Sequence, residues 1–310
     1  MEKAGYDLII AGGGPAGLTA GLYGARARLR TLLVEKMAPG GQAASTFHIE
    51  NYPGFDQGIS GPDLSQAMET QAKRFGLEVT YGEVKRLGAR EPFWELEIEE
   101  RKMSAKAVIV ATGVEPRKLG VPGEETLRGR GVSYCATCDG PFFKDQDIGV
   151  IGGGDSAVEE ALYLTRFASR VYLVHRRDAL RAEKIIQERA FENPKIEILW
   201  DTVVTRVVGD SGVEGLELQN VKTKDTRSLK VGGVFFYVGW LSNTGFLRGI
   251  LNLDDQGYVL TDDTMATSAV GVFAAGDVRK KLLRQIATAV GDGATAAFAA
   301  EKYIESRKWP

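Results

Sequence analysis

Two cysteines are the only thiols in this chain of 310 residues, and they stand three positions apart in Tyr134-Cys135-Ala136-Thr137-Cys138-Asp139-Gly140. Three chemistries compete for such a pair. A zinc site needs about four ligands, whereas the chain holds two cysteines and two histidines, His48 and His175; no metal is expected. A structural disulfide across so short a loop constrains little chain entropy and is unusual in a reducing compartment. A redox-active dithiol is the favoured reading, because closely spaced thiols in one turn interconvert with a disulfide at little backbone cost. Asp139 follows the second cysteine. A carboxyl group there can deliver the proton that a leaving sulfur needs; alternatively it caps the turn marked by Gly140 and Pro141.

Such a pair needs a source of electrons, and the glycines supply a candidate. One phosphate-cradling pattern occurs twice, 140 residues apart: Gly12-Gly13-Gly14-Pro15-Ala16-Gly17 and Gly152-Gly153-Gly154-Asp155-Ser156-Ala157. A glycine turn lets backbone approach a pyrophosphate, and the helix that opens there aims its free N–H groups and positive dipole end at the anion. In such units an acid about 20 residues on holds the ribose 2′-hydroxyl. The first copy has Glu35 there; the second has His175, followed by Arg176 and Arg177, with Arg181 close behind. A carboxylate repels a 2′-phosphate, while guanidinium groups bind one in a bidentate fork. The first site therefore reads as FAD or NAD and the second as NADP. Arg26, Arg28 and Arg30 have no such alignment and read as solvated charges.

The elements that must position these residues are legible around them. Leu8–Ala11 and Ile148–Ile151 read as strands entering the glycine turns, helical spacing follows each turn, and Thr31–Val34 and Val171–Val174 read as the second strands. Period-2 patterning over Phe93–Ile98 and Val213–Leu218 marks hairpin-rich sections. Trp94 reads as packing or subunit surface. The net charge of −2 gives no global field for nucleic acid. The longest uncharged stretch, near Val231–Leu247, is too broken by glycine for a membrane span. The start of the chain lacks a charged segment leading into an apolar core, so a cytoplasmic protein is expected.

Together these residues resemble the low-molecular-weight thioredoxin reductases of bacteria and archaea, members of the FAD/NADPH pyridine nucleotide-disulfide oxidoreductase family. The resemblance covers nearly the whole chain. It is carried by the two glycine turns, Gly40-Gly41-Gln42, Glu50-Asn51-Tyr52-Pro53-Gly54, Ala111-Thr112-Gly113, Cys135 to Asp139, His175 to Arg181, and Gly271 to Asp277. It implies an α/β fold of two Rossmann-like, three-layer ββα domains. Because Gly12 and Gly276-Asp277 serve one site from opposite ends of the chain, the NADPH domain is inserted into the FAD domain. The expected segments are 1–117 and 244–310 for FAD, and 118–243 for NADPH and the redox pair, with crossings near Pro116–Leu119 and Ser242–Phe246.

The resemblance also implies roles. Gly12, Gly13, Gly14, Pro15, Ala16 and Gly17 cradle the FAD pyrophosphate, Glu35 holds its ribose, and Gly41, Gln42, Asn51, Ala111, Thr112 and Gly113 line the flavin site. Gly276 and Asp277 contact the pyrophosphate and ribityl region. Arg284, Gln285 and Ile286 lie beside the isoalloxazine, at the start of a last helix expected over Ala287–Tyr303. Gly152, Gly153, Gly154, Asp155, Ser156, His175, Arg176, Arg177 and Arg181 belong to NADPH. Cys135, Cys138 and Asp139 are catalytic: electrons pass from NADPH through FAD to the disulfide and on to thioredoxin, with rotation of the NADPH domain between half-reactions. Cys138 is the thiol nearer the flavin and Cys135 the exchanging one. A homodimer is implied too, and Phe142-Phe143 with Arg130 are candidates for docking the partner, one phenylalanine buried and one available. The chain departs from the family pattern at Ser242, where proline is usual, and at Ile286, where alanine is common. The rival readings are a reductase of another small dithiol protein, a flavin-dependent dithiol oxidase or ferredoxin-fed reductase of the same fold, and a redox-sensing binding module. The three arginines disfavour the oxidase and ferredoxin readings; the intact Cys135, Cys138 and Asp139 disfavour the sensor.

Overall fold

The computed structural model describes residues 5–310. The chain forms two compact units: one comprises the residues up to Glu115 together with Leu241–Pro310, the other Pro116–Trp240. The return crossing thus falls at Trp240/Leu241, a little before the expected 243/244. The two connecting segments pair as short strands, Val114–Pro116 with Trp240–Ser242.

In the first unit a parallel sheet runs in the order Glu78–Tyr81, Thr31–Glu35, Tyr6–Ala11, Arg101–Val110, and Val272–Ala274 also pairs with Arg101–Val110. The ten-residue strand Arg101–Val110 serves two layers. Its second half pairs in parallel with Tyr6–Ala11, while its first half pairs antiparallel with Phe93–Ile98, which in turn pairs with Val84–Arg90. Tyr6–Ala11 is covered on both faces, which is why it reads as a continuous apolar run. Leu8 and Ile10 face the helices Pro15–Arg26 and Ile286–Glu305, and Ile9 packs with Leu87, Leu96 and Ile98 of the antiparallel layer. Trp94 packs against this second cluster and donates its indole N–H to the Val270 carbonyl at 3.0 Å. The last helix, Ile286–Glu305, extends its expected core by one residue at the start, where Gln285 and Thr288 close a capping box, and by two at the end.

The second unit repeats the three layers. Five strands, all parallel, run in the order Ile196–Leu199, Arg170–Val174, Asp147–Gly152, Gly233–Tyr237, Val132–Ser133. Helices Asp155–Leu164 and Lys184–Glu192 bury Ala157, Val158, Ala161, Leu164, Ile186 and Ala190 against one face. A three-stranded antiparallel sheet, Thr202–Val208, Gly215–Asn220 and Thr226–Lys230, covers the other through Val204, Val207, Leu216 and Leu218. Its middle strand starts at Gly215 rather than Val213, because the Val213 N–H is committed to the Arg130 carbonyl at 2.9 Å, outside the ladder. Among the described residues no helix is long and apolar enough to cross a membrane, and no group of three or more His, Cys, Asp or Glu is placed to hold a metal ion.

Candidate dinucleotide and redox sites

Parallel strands end at one edge, so residues far apart in sequence arrive there together. In the first unit Tyr6–Ala11 delivers Gly12, Thr31–Glu35 delivers Glu35, Arg101–Val110 delivers Ala111, Thr112 and Gly113, and Val272–Ala274 delivers Gly276 and Asp277. Gly12 has φ +106°, and a Cβ there would run into the Ala111 carbonyl, so only glycine fits. Glu35 reaches back beneath the turn: its Oε2 accepts the Gly13 N–H at 2.6 Å and its Oε1 the Met37 N–H at 3.1 Å. Helix Pro15–Arg26 begins with proline at its first turn and no side-chain cap, leaving its first N–H groups for an anion.

Around this turn Gln42 is exposed and donates to the Val114 carbonyl at 3.3 Å, and exposed Asn51 donates to the Gln285 side chain at 3.3 Å. The Thr112 hydroxyl donates to the Asn243 carbonyl at 2.8 Å, and the Asn243 amide returns a bond to the Thr112 carbonyl at 3.0 Å. Arg284 lies over the Tyr258 ring, 4.0 Å from its centroid, and Ile286 opens the last helix behind the Gln285 cap. Ser242, where the family pattern has proline, uses its hydroxyl to donate to the Gly257 carbonyl at 2.7 Å. Asp277 stands out: its Oδ1 is buried and has no hydrogen-bond partner, and burial pushes its carboxyl upward against the pull of Lys281 and Arg284.

The second unit builds the same geometry with different chemistry. Gly152 has φ +155°, with the Tyr237 carbonyl where a Cβ would go, and helix Asp155–Leu164 likewise starts without a side-chain cap. His175 occupies the place of Glu35, at the end of Arg170–Val174. It is 4% exposed, packed where a Gly153 Cβ would be, and its Nε2 lies 3.0 Å from the Ala179 carbonyl. Burial pulls its pKa down. The imidazole packs under the turn, against Gly153. Arg176, Arg177 and Arg181 are exposed. Their loop is tied to the glycine turn by backbone: Arg181 N–H to Gly153 O at 2.7 Å, and Glu183 N–H to the Asp155 carboxylate at 2.8 Å.

The cysteines leave the same edge, directly after Val132–Ser133. Cys135 and Cys138 are joined in a disulfide across 5.4 Å between Cα atoms. The turn is held from several sides. Ser133 Oγ accepts the Cys135 N–H at 3.0 Å, the Tyr134 hydroxyl donates to buried Glu124 at 2.6 Å, and the Tyr237 hydroxyl accepts the Ala136 N–H at 3.1 Å. The Cys138 N–H donates to Cys135 Sγ at 3.2 Å, which makes Cys135 the cap of a one-turn helix, Ala136–Asp139. Cys138 is exposed, and Asp139 is half-buried. Phe143 is 8% exposed and packs edge-on to Phe235, while Phe142 is 75% exposed; Arg130 is exposed as well.

Two residues here are absent from the sequence reading. Tyr237, at the end of Gly233–Tyr237, pairs with Gly152 and bonds Ala136, so it joins the glycine turn to the redox turn. Glu160, on helix Asp155–Leu164, has a buried Oε2 with no hydrogen-bond partner, and desolvation pushes its carboxyl up to about 8. Burial raises the pKa of the Tyr237 hydroxyl, and Glu160 and Asp139 add to it. Only the acid at a buried helix position signals Glu160 in the sequence; nothing local signals Tyr237.

Comparison with known proteins agrees with this geometry. The model of the pyridine nucleotide-disulphide oxidoreductase family matches residues 6–293. The chain is 51% identical to a thioredoxin reductase of Listeria monocytogenes over 311 residues, covering 99% of this chain and 96% of that protein. It is 48% identical to one of Bacillus subtilis, covering 98% and 96%. This chain belongs to the thioredoxin reductase family. A crystal structure of the Lactococcus lactis thioredoxin reductase, described as the FR conformation, superposes with a TM-score of 0.96 at 48% identity, covering 97% of this chain and 100% of that one.

The family uses FAD and NADPH, and so does this chain. The residues present fit both groups. The first turn offers a close-approach backbone, an uncapped helix start and a buried Asp277 oxygen without a hydrogen-bond partner. The second offers the same backbone, with exposed Arg176 and Arg177 directly after His175, which stands where the first has a carboxylate.

Proposed function

We propose that this enzyme reduces the disulfide of a thioredoxin with electrons from NADPH, and that Cys135 and Cys138 are the residues that carry them to it. The observation behind this reading is the bonded Cys135–Cys138 pair at the same sheet edge as a glycine turn flanked by three exposed arginines. FAD, bound at the first turn, supplies a two-electron carrier between nicotinamide and disulfide. Gly12 to Gly17 and Glu35 hold its pyrophosphate and ribose; Asp277 and Arg284 to Ile286 hold its other half. Gly41, Gln42, Asn51 and Ala111 to Gly113 complete that site. Gly152 to Ser156 hold the NADPH pyrophosphate, and Arg176, Arg177 and Arg181 take its 2′-phosphate.

Two electrons and one proton open the disulfide to a thiol on Cys138 and a thiolate on Cys135, with Asp139 supplying the proton. The Cys135 thiolate then attacks one sulfur of the partner's disulfide, forming a mixed disulfide and releasing the other as a thiolate. Cys138 attacks the Cys135 sulfur, restoring the internal disulfide and releasing the reduced partner. The Cys138 N–H aimed at Cys135 Sγ favours negative charge on Cys135, which supports Cys135 as the exchanging thiol. Exposed Phe142, with Arg130, suits the docking surface. A cytoplasmic location belongs to the same proposal, since a dithiol that cycles needs a reducing compartment. The homodimer rests on family resemblance, and light scattering on the purified protein decides it.

Anaerobic stopped-flow tests the reading. NADPH is expected to bleach the bound flavin and a thioredoxin disulfide to restore its colour. Bleaching without restoration points to another dithiol partner. Bleaching by neither NADPH nor NADH sinks the arginine argument and favours the ferredoxin-fed or oxidase reading.

A further inference from the structure

Helix Ile286–Glu305 buries a stripe of small residues, Ala289, Gly293, Ala296, Ala297 and Ala300, and one acid among them, Asp292, 9% exposed. Three donors converge on its carboxylate. Arg279 Nη1 lies 2.9 Å from Oδ1, Lys281 Nζ 2.8 Å from Oδ2, and the Gly276 N–H donates to Oδ2 at 3.1 Å. Both cations are themselves nearly buried, with side chains 13% and 8% exposed. Arg279 is held further by Thr261, whose Oγ1 accepts from its Nε at 2.9 Å. Lys281 also lies 3.9 Å from Asp277 Oδ1.

Alanine and glycine fill the neighbouring stripe positions, so helix packing alone does not call for a carboxylate. Burying one carries a desolvation penalty that its partners must offset. What the carboxylate adds is orientation. Gly276 has φ +79°, and a Cβ on it would lie 2.8 Å from Ala16 Cβ; a Cβ on Gly293 would strike the Ala16 carbonyl. The late turn, the last helix and the first turn of the first helix therefore meet with no slack, and Asp292 bonds the late turn at its glycine and at both following cations. The result is an Asp277 oxygen that is buried and without a hydrogen-bond partner, with Lys281 Nζ 3.9 Å away.

We propose that Asp292 is a positioning residue for the flavin: through Gly276, Arg279 and Lys281 it fixes the turn that carries Asp277, and so sets how well the flavin half of FAD is held. The proposal rests on Asp277 belonging to the FAD site. It assigns no chemistry to Asp292 itself.

The test is FAD binding by the full-length apoprotein, followed by quenching of flavin fluorescence, for wild type, D292N, D292A, K281M and D277N. D292N keeps the volume and an acceptor for the Gly276 N–H but loses the charge. It is expected to raise the FAD dissociation constant by roughly ten- to hundredfold, the scale of outer-shell groups that orient a ligand's direct contacts. K281M is expected to do the same. ADP, which takes only the adenosine half of the site, is expected to bind wild type and D292N with the same dissociation constant. A merely structural role predicts the opposite, with ADP and FAD weakened in proportion and the apoprotein melting lower. That result overturns the proposal, as does a D292N protein that binds FAD like wild type. Should D292A fail to fold, D292N and K281M carry the test. Unchanged FAD binding by D277N removes the assignment of Asp277 and the inference with it; weakened binding by D277N but not by D292N or K281M removes the inference alone.

Discussion

Cys138 and Glu160 separate two kinds of chemistry around one turn. Cys138→Ser leaves the NADPH loop and the flavin turn untouched but removes a sulfur from the only disulfide. Flavin bleaching by NADPH is expected to persist and thioredoxin reduction to vanish; stopped-flow and turnover assays on the same preparation check this. Loss of bleaching in this variant counts against the electron path. Glu160 makes a prediction about stability instead. Its folded pKa of about 8 lies above the ordinary 4.5, so the native state binds its proton more tightly than the unfolded chain does. The protonated side chain is tolerated at low pH, and stability is lost as pH rises from the ordinary carboxylate range through about 8. Glu160→Gln is therefore expected to match wild type near about pH 5 and to be more stable by several kcal/mol near about pH 9. Thermal melts of both proteins across that range decide it; a constant difference would show that Glu160 titrates normally.

At the scale of elements, the loop after Arg170–Val174 combines a fixed backbone with free side chains. Backbone bonds from Arg181 and Glu183 pin it to the glycine turn, and Asp201 N–H donates to the Arg177 carbonyl at 3.2 Å. Arg176 and Arg177 point outward from that frame. Replacing both with alanine should leave folding intact and lower kcat/KM for NADPH by roughly ten- to hundredfold, since a hydrogen bond to a charged group contributes about 1.5–3 kcal/mol. NADH turnover should hold, so the measured quantity is the ratio of the two. An equal loss for both nucleotides would mean that the arginines support the loop and do not read the 2′-phosphate. The same element explains His175. The position that carries the discriminating acid in the first unit lies under the turn, so an arginine there would be buried; the outward positions are the next two.

For the whole molecule, the consequence of insertion is that neither end of the chain completes the first unit alone. Tyr6–Ala11 and Val272–Ala274 flank Arg101–Val110, and helix Ile286–Glu305 covers Leu8, Ile10, Ala107 and Ile109. A chain ended at residue 243 loses the Gly276-Asp277 turn and that cover together. It is expected to purify without flavin, while still binding an NADP-affinity resin through Pro116–Trp240, which contributes nothing to that sheet. Retained flavin colour in the truncated protein would show that the last segment is dispensable to the site.

By itself the sequence determined both glycine turns, the strands entering and leaving them, the redox pair, and the insertion of one unit within the other. The turns, strands and redox pair are encoded by neighbours along the chain: a turn needs its glycines in order, a buried strand its apolar run, a dithiol its three-residue spacing; the insertion follows from the family resemblance, in which Gly12 and Gly276-Asp277 serve one site from opposite ends. The shared sheet edge follows from those strands being parallel. The tertiary structure alone decided which side chains meet across that edge. His175 lies beneath Gly153, Tyr237 joins Gly152 to Ala136, and Phe143 is buried while Phe142 is exposed. Asp292 finds Gly276, Arg279 and Lys281. These depend on strand register and on where a helix is set against a sheet, and packing over long sequence separations fixes both.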